Sequence, residues 1–412
     1  MINFEEFVLD NGLQVIVHED SSSPMAVVNV LYNVGARDEN PNKTGFAHLF
    51  EHLMFGGSIN IPDYDEPLQM AGGENNAYTT NDLTNYYIQI PTANIETAFW
   101  LESDRMLSLA FNEKSLEVQR KVVCEEFKEH YINKPYGDVW AKMRNLAYTT
   151  HPYKWMTIGK ELSHVENATL QDVKDFFGKH YNPSNAILVV AGNIKTNTVL
   201  KQIKKWFGNI PSGNKYNRNL PQEPKQLQAR ILEHKANVPL DAVVKTWHVD
   251  SRLQKGYYVT DLITDILGGG GSSRLYEKLV KEKQIFANID CYHFGSIENG
   301  LLAIEGKLVK GKTMDEAEAA INIEIDSLTQ NLIAAPELQK VINKTESTIA
   351  FEDMALMSRA NSLAFYQLLG NANLMNEELE KYHDITAQDI LSYSQQIFNV
   401  NNSSTLRYYS GG

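Results

Sequence analysis

The chain has 412 residues, 51 acidic and 38 basic, for a formal charge of −13, with 43 % hydrophobic, 10 % aromatic and 22 % charged residues. That is globular composition at a length that accommodates about two to four domains of roughly 100–200 residues, which excludes disordered and fibrous classes. The acidic balance and the lack of a Lys/Arg run argue against a nucleic-acid partner, and no stretch approaches the roughly 18 apolar residues of a membrane span.

In chain order, Phe4 to Val17 alternates like strand around a turn at Asp10-Asn11-Gly12, and Met25 to Val34 is a second β-rich run. After Thr44-Gly45 the period changes to helical, with Ala47, Phe50, Leu53 and Met54 on one face and Gly56-Gly57 as the stop. Ala77 to Pro91 reads as strand. Helices follow over about Ile95–Leu109 and Glu113–Tyr131, then an irregular segment around Pro135 and Pro152, a helix near Leu170–His180 and an apolar strand Ala186–Ala191. Blocks of strands enclosing helices predict an α+β fold.

Residues 208–224 carry Pro211, Pro221 and Pro224 without apolar periodicity, as a linker does. The expected division is therefore 1–207, a linker over 208–224, and 225–412. Thr169-Leu-Gln-Asp172, with Tyr181-Asn182 following, recurs as Thr386-Ala-Gln-Asp389 with Phe398-Asn399 at the same offset. Two homologous domains of about 200 residues, each a sheet packed with helices, are expected.

The chemistry concentrates in His48-Leu49-Phe50-Glu51-His52. On a helix, residues i and i+4 share a face, so both imidazoles can reach one metal ion, and Glu51 borders that face without being a ligand. Zinc bound there would acidify a water whose proton a carboxylate accepts. The ordinary alternative is a pair of solvated histidines. Against it, Phe46, Ala47, Leu49, Phe50, Leu53 and Phe55 make the helix apolar enough to be buried, and unpartnered buried His and Glu are costly.

H-x-x-E-H is the inverzincin signature, and Gly45-Phe-Ala-His-Leu-Phe-Glu-His-Leu-Met-Phe-Gly-Gly-Ser58 resembles the zinc helix of the pitrilysin/insulinase metallopeptidases, which include mitochondrial processing peptidase and small bacterial zinc proteases. The resemblance runs on through Gly72 to Asp82, Gln119 to Glu126, His151-Pro152-Tyr153 and Ile158-Gly159, and more faintly into the second half. It implies a zinc endopeptidase with Zn²⁺ on His48, His52 and Glu126, the last 74 positions after His52 (126 − 52), and Glu51 as general base. Glu125 and Glu129 compete with Glu126; Glu125 points about 100° away on a helix, and Glu129 could stand behind the ligand. Gln119 replaces an acid of some relatives and could still hydrogen-bond a ligand. Asn76, Ala77, Tyr78 and Thr79, with Thr80, correspond to the family's edge strand, which takes up extended peptide by β-addition.

In the second half, Gly268-Gly-Gly-Gly271-Ser-Ser-Arg274-Leu-Tyr276 lacks the residues of a phosphate loop and reads as a flexible turn. Where the resemblance leads one to expect an Arg and a Tyr seven residues apart, the chain has Lys281 and Asn288 (288 − 281). The implied assembly is one half of a clamshell: a zinc subunit paired with a homologous chain that lacks the zinc motif and carries Arg and Tyr, or a homodimer if Lys281 or Arg274 substitutes. A non-catalytic assembly subunit of the same fold is the alternative function, and a metal hydrolase acting on something other than peptides a third. The N-terminal residues show no secretory pattern, and Cys124 and Cys291 form no disulfide framework, so the expected compartment is the cytoplasm, or the periplasm if a leader is removed.

Overall fold

Strand-forming residues fall into two blocks, and each block builds its own sheet. The computed structural model describes residues 1–411 and groups them into two units. The first comprises Met1–Glu129, Trp155–Leu220 and Ala350–Glu377. Its strands are β1 (Glu5–Val8), β2 (Gln14–Glu19), β3 (Met25–Tyr32), β4 (Glu74–Thr79), β5 (Thr84–Pro91) and β6 (Ala186–Gly192), in the order β1-β2-β6-β3-β5-β4. Only β2 and β6 pair in parallel. The sequence Ala-Ile-Leu-Val-Val-Ala-Gly of β6 is buried throughout, as a strand covered on both faces requires.

Alternation along the strands divides the faces of this sheet. Val27 and Leu31 of β3 and Val189 of β6 pack with Ala360, Leu363 and Ala364 of the helix Leu356–Leu368. Tyr32, out of phase with them, meets Tyr181 at 4.7 Å and Tyr86 at 5.9 Å between ring centroids, and Phe50 stacks on Tyr181 at 4.9 Å. That aromatic layer seats the helix Phe46–Leu53, which carries both motif histidines.

The second unit comprises His130–Lys154, Pro221–Ile349 and Glu378–Gly412. Its strands are β7 (Arg230–Ala236), β8 (Ala242–His248), β9 (Phe286–Phe294), β10 (Leu301–Leu308) and β11 (Ser403–Ser410), ordered β7-β11-β8-β10-β9 with β7 and β11 parallel. This repeats β2-β6-β3-β5-β4, pairing sense included. The fold is α+β with two such sheets, as expected.

The short sequence repeat is structural in origin. Thr169 and Thr386 cap their helices, Leu170–His180 and Ala387–Ile397, in reciprocal boxes with Asp172 and Asp389. Each aspartate also meets a lysine, Lys43 at 2.5 Å and Lys255 at 2.6 Å.

Three expectations are corrected. The two units are not the continuous halves 1–207 and 225–412, because residues 130–154 belong to the second unit and 350–377 to the first. The physical reason is packing: Val139 and Met143 of the helix Val139–Ala147, read as irregular chain, join Val244, Leu406 and Tyr408 in the second unit's core. Ala77–Pro91 is not one strand but the hairpin β4–β5, turned at Thr80, whose hydroxyl accepts from the N–H groups of Asp82 and Leu83. The segment 208–224 carries no helix or strand and is tied down by side chains, Arg218 to Asp38 in the first unit and Glu223 to Thr149 and Thr150 in the second. Among the described residues no helix is long and apolar enough to cross a membrane.

Candidate metal centre

The helix Phe46–Leu53 buries Phe46, Ala47, Leu49, Phe50 and Leu53 and leaves His48 and His52 on its open side, 13 % and 25 % exposed at the side chain. Gly45 starts it with φ +89°, and a Cβ there would sit 2.5 Å from the Ile158 carbonyl oxygen, so only glycine fits. Gly45 has no capping side chain of its own. Glu39 supplies the cap instead, accepting from Gly45 N–H at 2.9 Å and Ala47 N–H at 2.8 Å. Burial pushes the Glu39 carboxyl up to about 8, against the opposing pull of those two N–H groups.

The second element is the helix Glu113–Phe127, capped by Asn112, which accepts from Ser115 N–H at 2.8 Å. Leu116 and Val123 are its buried side, and Arg120 fixes it through the carbonyls of Glu166 and Ala168 at 3.2 and 3.1 Å. Its penultimate residue, Glu126, brings Oε2 to 3.7 Å from His48 Nε2 and 3.5 Å from His52 Nε2. One ligand atom from each of these three residues lies within 4.8 Å of the others, and this is the one such group among the described residues.

These separations are long for hydrogen bonds, whose N···O distance centres near about 2.9–3.0 Å. They lie close to the edge of a tetrahedron around an ion, since donors at about 2.0–2.2 Å from zinc stand roughly 3.3–3.6 Å apart. Burial also lowers the His48 pKa, outweighing the pull of the nearby Glu126 charge, and so favours the neutral imidazole that can donate a lone pair. Two imidazoles and a carboxylate suit zinc.

Glu51 lies on the same helix, and its charge is felt at His48 and at the hydroxyls of Tyr86 and Tyr181. Glu125 is exposed and pairs with Lys128 at 2.8 Å. Glu129 is exposed in the π-helical turn Lys128–Ile132, and neither it nor Gln119 joins the three ligand atoms. Asn76, Ala77, Tyr78 and Thr79 lie on β4, the outermost strand of its sheet, paired on one side with β5. Ala77 faces Tyr86 in that pairing, and the Tyr86 hydroxyl donates to the Phe50 carbonyl of the histidine helix at 3.2 Å. The edge strand is thereby tied to the metal helix through one residue.

Sequence reasoning passed over Glu39, and with it the pair Glu102–Arg105. Arg105 is fully buried, bonded to Glu102 at 2.8 Å and 4.5 Å from the Tyr86 ring centroid. Gly35-Ala-Arg-Asp-Glu39 looks like a solvated turn; the one available signal was a carboxylate a few residues ahead of an uncapped Gly45.

Residues 14–154 match the family model described as Insulinase (Peptidase family M16), and residues 167–345 match the Peptidase M16 inactive domain. The zinc protease PqqE of Helicobacter pylori is 30 % identical over 412 residues, spanning 98 % of this chain and 92 % of that protein. The chain belongs to the insulinase family, peptidase family M16. The beta subunit of the mitochondrial-processing peptidase of Saccharomyces cerevisiae is 27 % identical over 206 residues, 49 % of this chain and 44 % of that one. Among solved structures, a protease from Helicobacter pylori superposes with a TM-score of 0.93 at 27 % identity, covering 99 % of this chain and 100 % of its own. A peptidase M16 inactive domain from Pseudomonas fluorescens, 16 % identical, shares the fold at a TM-score of 0.88 over 100 % of this chain and 98 % of its own.

Proposed function

We propose that this M16 chain is a zinc-dependent endopeptidase acting on extended or unfolded peptides. The observation that carries the reading is the convergence of His48, His52 and Glu126 at ligand spacing. A zinc ion held by these three residues would polarise a peptide carbonyl and acidify water. Glu51 takes the water proton and returns it to the leaving amine. The open side of β4, Asn76 to Thr79, offers main-chain N–H and C=O groups to an extended peptide, giving affinity with little demand on sequence.

The reading of a partner chain is supported by two cations that already have carboxylate partners. Arg274 forms a two-pronged pair with Glu337 at 2.8 and 2.7 Å, and Lys281 pairs with Glu277 at 2.7 Å, so neither is an idle cation for a substrate carbonyl. This supports an active site completed by a second, homologous chain that brings Arg and Tyr but no zinc motif. The test is elemental analysis of the purified chain together with hydrolysis of a quenched unstructured peptide, alone and with candidate partner chains. One zinc per chain with cleavage only on adding a partner is the expected result. Cleavage by the chain alone would replace the heterodimer with a homodimer, and no zinc at all would move the reading to an assembly subunit. Glu51→Gln is expected to keep zinc and lose turnover.

A further inference from the structure

The metal helix Phe46–Leu53 has only eight residues. Helices this short are marginal on their own, so what fixes the start of this one decides where its side chains point. The backbone turns about 100° per residue, and a slip of the first turn would carry His48 and His52 away from Glu126.

The start is fixed from outside the helix. Glu39 holds the N–H groups of Gly45 and Ala47 with one carboxylate oxygen each. The residue before it, Asp38, has a fully buried side chain that accepts from Gly35 N–H at 3.0 Å and is gripped by Arg218 at 2.7 and 2.9 Å. Arg218 also donates to the Asn33 carbonyl at 3.1 Å. It is reached by the connecting segment, where the Tyr216 ring lies 4.5 Å from His180 and 4.8 Å from the Lys179 ammonium. A continuous line of bonds thus runs from the connector through Arg218, Asp38 and Glu39 to the residue that precedes His48.

We infer that Glu39 is a positioning residue for the metal helix and that Arg218 holds Glu39 in register through Asp38, so that the connector sets how tightly the chain holds zinc. This rests on the zinc reading above. The measurement is zinc affinity of the full-length chain by competition with a chromogenic chelator, alongside thermal unfolding of the metal-free protein, for Glu39→Gln, Arg218→Ala and a control. The control is Asn361→Ala, which removes hydrogen bonds between the Leu356–Leu368 helix and the sheet and touches nothing in the line of bonds.

Glu39→Gln leaves one acceptor oxygen for two N–H groups and is expected to weaken zinc binding about 10- to 100-fold, the range for groups that orient metal ligands. Arg218→Ala is expected to weaken it several-fold. Asn361→Ala is expected to lower the unfolding temperature while leaving zinc affinity within about twofold of the parent, so loss of stability alone would not reproduce the effect. Should Glu39→Gln fail to fold, Arg218→Ala decides the matter. Parent-like zinc affinity in the folded variants overturns the inference by itself, whereas a parent chain that binds no zinc overturns the functional reading and this inference with it.

Discussion

Nε2 of His52 lies 3.5 Å from Oε2 of Glu126, although 74 positions separate them in the chain (126 − 52). Two separately capped helices hold that distance, one by Glu39 and one by Asn112. If it is the spacing of two ligands, Glu126→Gln should weaken zinc binding by more than about 100-fold, beyond what losing an outer-sphere partner costs. Chelator competition measures it. Undiminished affinity would pass the ligand role to a neighbour such as Glu129.

Gly45→Ala should fail in two ways. Its φ of +89° costs a side chain about 1–3 kcal/mol, and the new Cβ would stand 2.5 Å from the Ile158 carbonyl oxygen. A lower urea midpoint and weaker zinc uptake are expected together. A variant matching the parent in both would mean that the helix start can relax.

Asn29 and Asn85, both fully buried on the sheet, donate to one oxygen, Asn361 Oδ1, at 2.5 and 3.1 Å. Asn361→Ala strands both amide groups, and at about 1–3 kcal/mol for each buried unsatisfied donor it should lower unfolding stability by several kcal/mol. Denaturant titration gives the value. A change below about 0.5 kcal/mol would show that water replaces the lost acceptor.

Glu223 supplies the pH dependence. Its carboxylate accepts from the backbone N–H groups of Thr149, Thr150 and His151 at 2.8, 2.9 and 2.9 Å. Burial raises its pKa, but those three N–H groups prevail and hold it at about 2, below the ordinary 4.5. A carboxyl depressed on folding adds stability that is complete above 4.5 and disappears as the pH falls toward 2. Glu223→Gln should therefore lower the unfolding temperature at pH 7 and flatten its fall between pH 4.5 and 2. A parallel acid profile in parent and variant would contradict this.

The histidine motif was legible because its chemistry is local: four positions along one helix place two rings on one face. Glu126 was visible only by resemblance, since nothing within a few residues distinguishes it from Glu125 or Glu129; helix packing makes the choice. The β4–β5 turn escaped notice because Thr-Thr-Asn-Asp-Leu contains neither Gly nor Pro, and a threonine hydroxyl takes the place of that signal. Thr169 and Thr386 were recognised as a repeat because helix caps are written in adjacent residues. The helix Val139–Ala147 is short and lies between prolines, and the partners of its apolar residues Val139, Trp140, Met143 and Leu146 are about a hundred or more positions away.

The exchange of segments has a consequence for synthesis. The chain passes from one unit to the other at 129/130, 154/155, 220/221, 349/350 and 377/378. A nascent chain that has already produced every strand of the six-stranded sheet still lacks the Leu356–Leu368 helix that packs on Val27, Leu31 and Val189. From Leu220 to Glu377 is 157 residues (377 − 220), about 8–30 s of translation at roughly 5–20 residues per second. For that interval a wide aliphatic face stands open on the ribosome, a target for chaperones and for neighbouring nascent chains. A gene fragment cut at the connector would leave it open permanently.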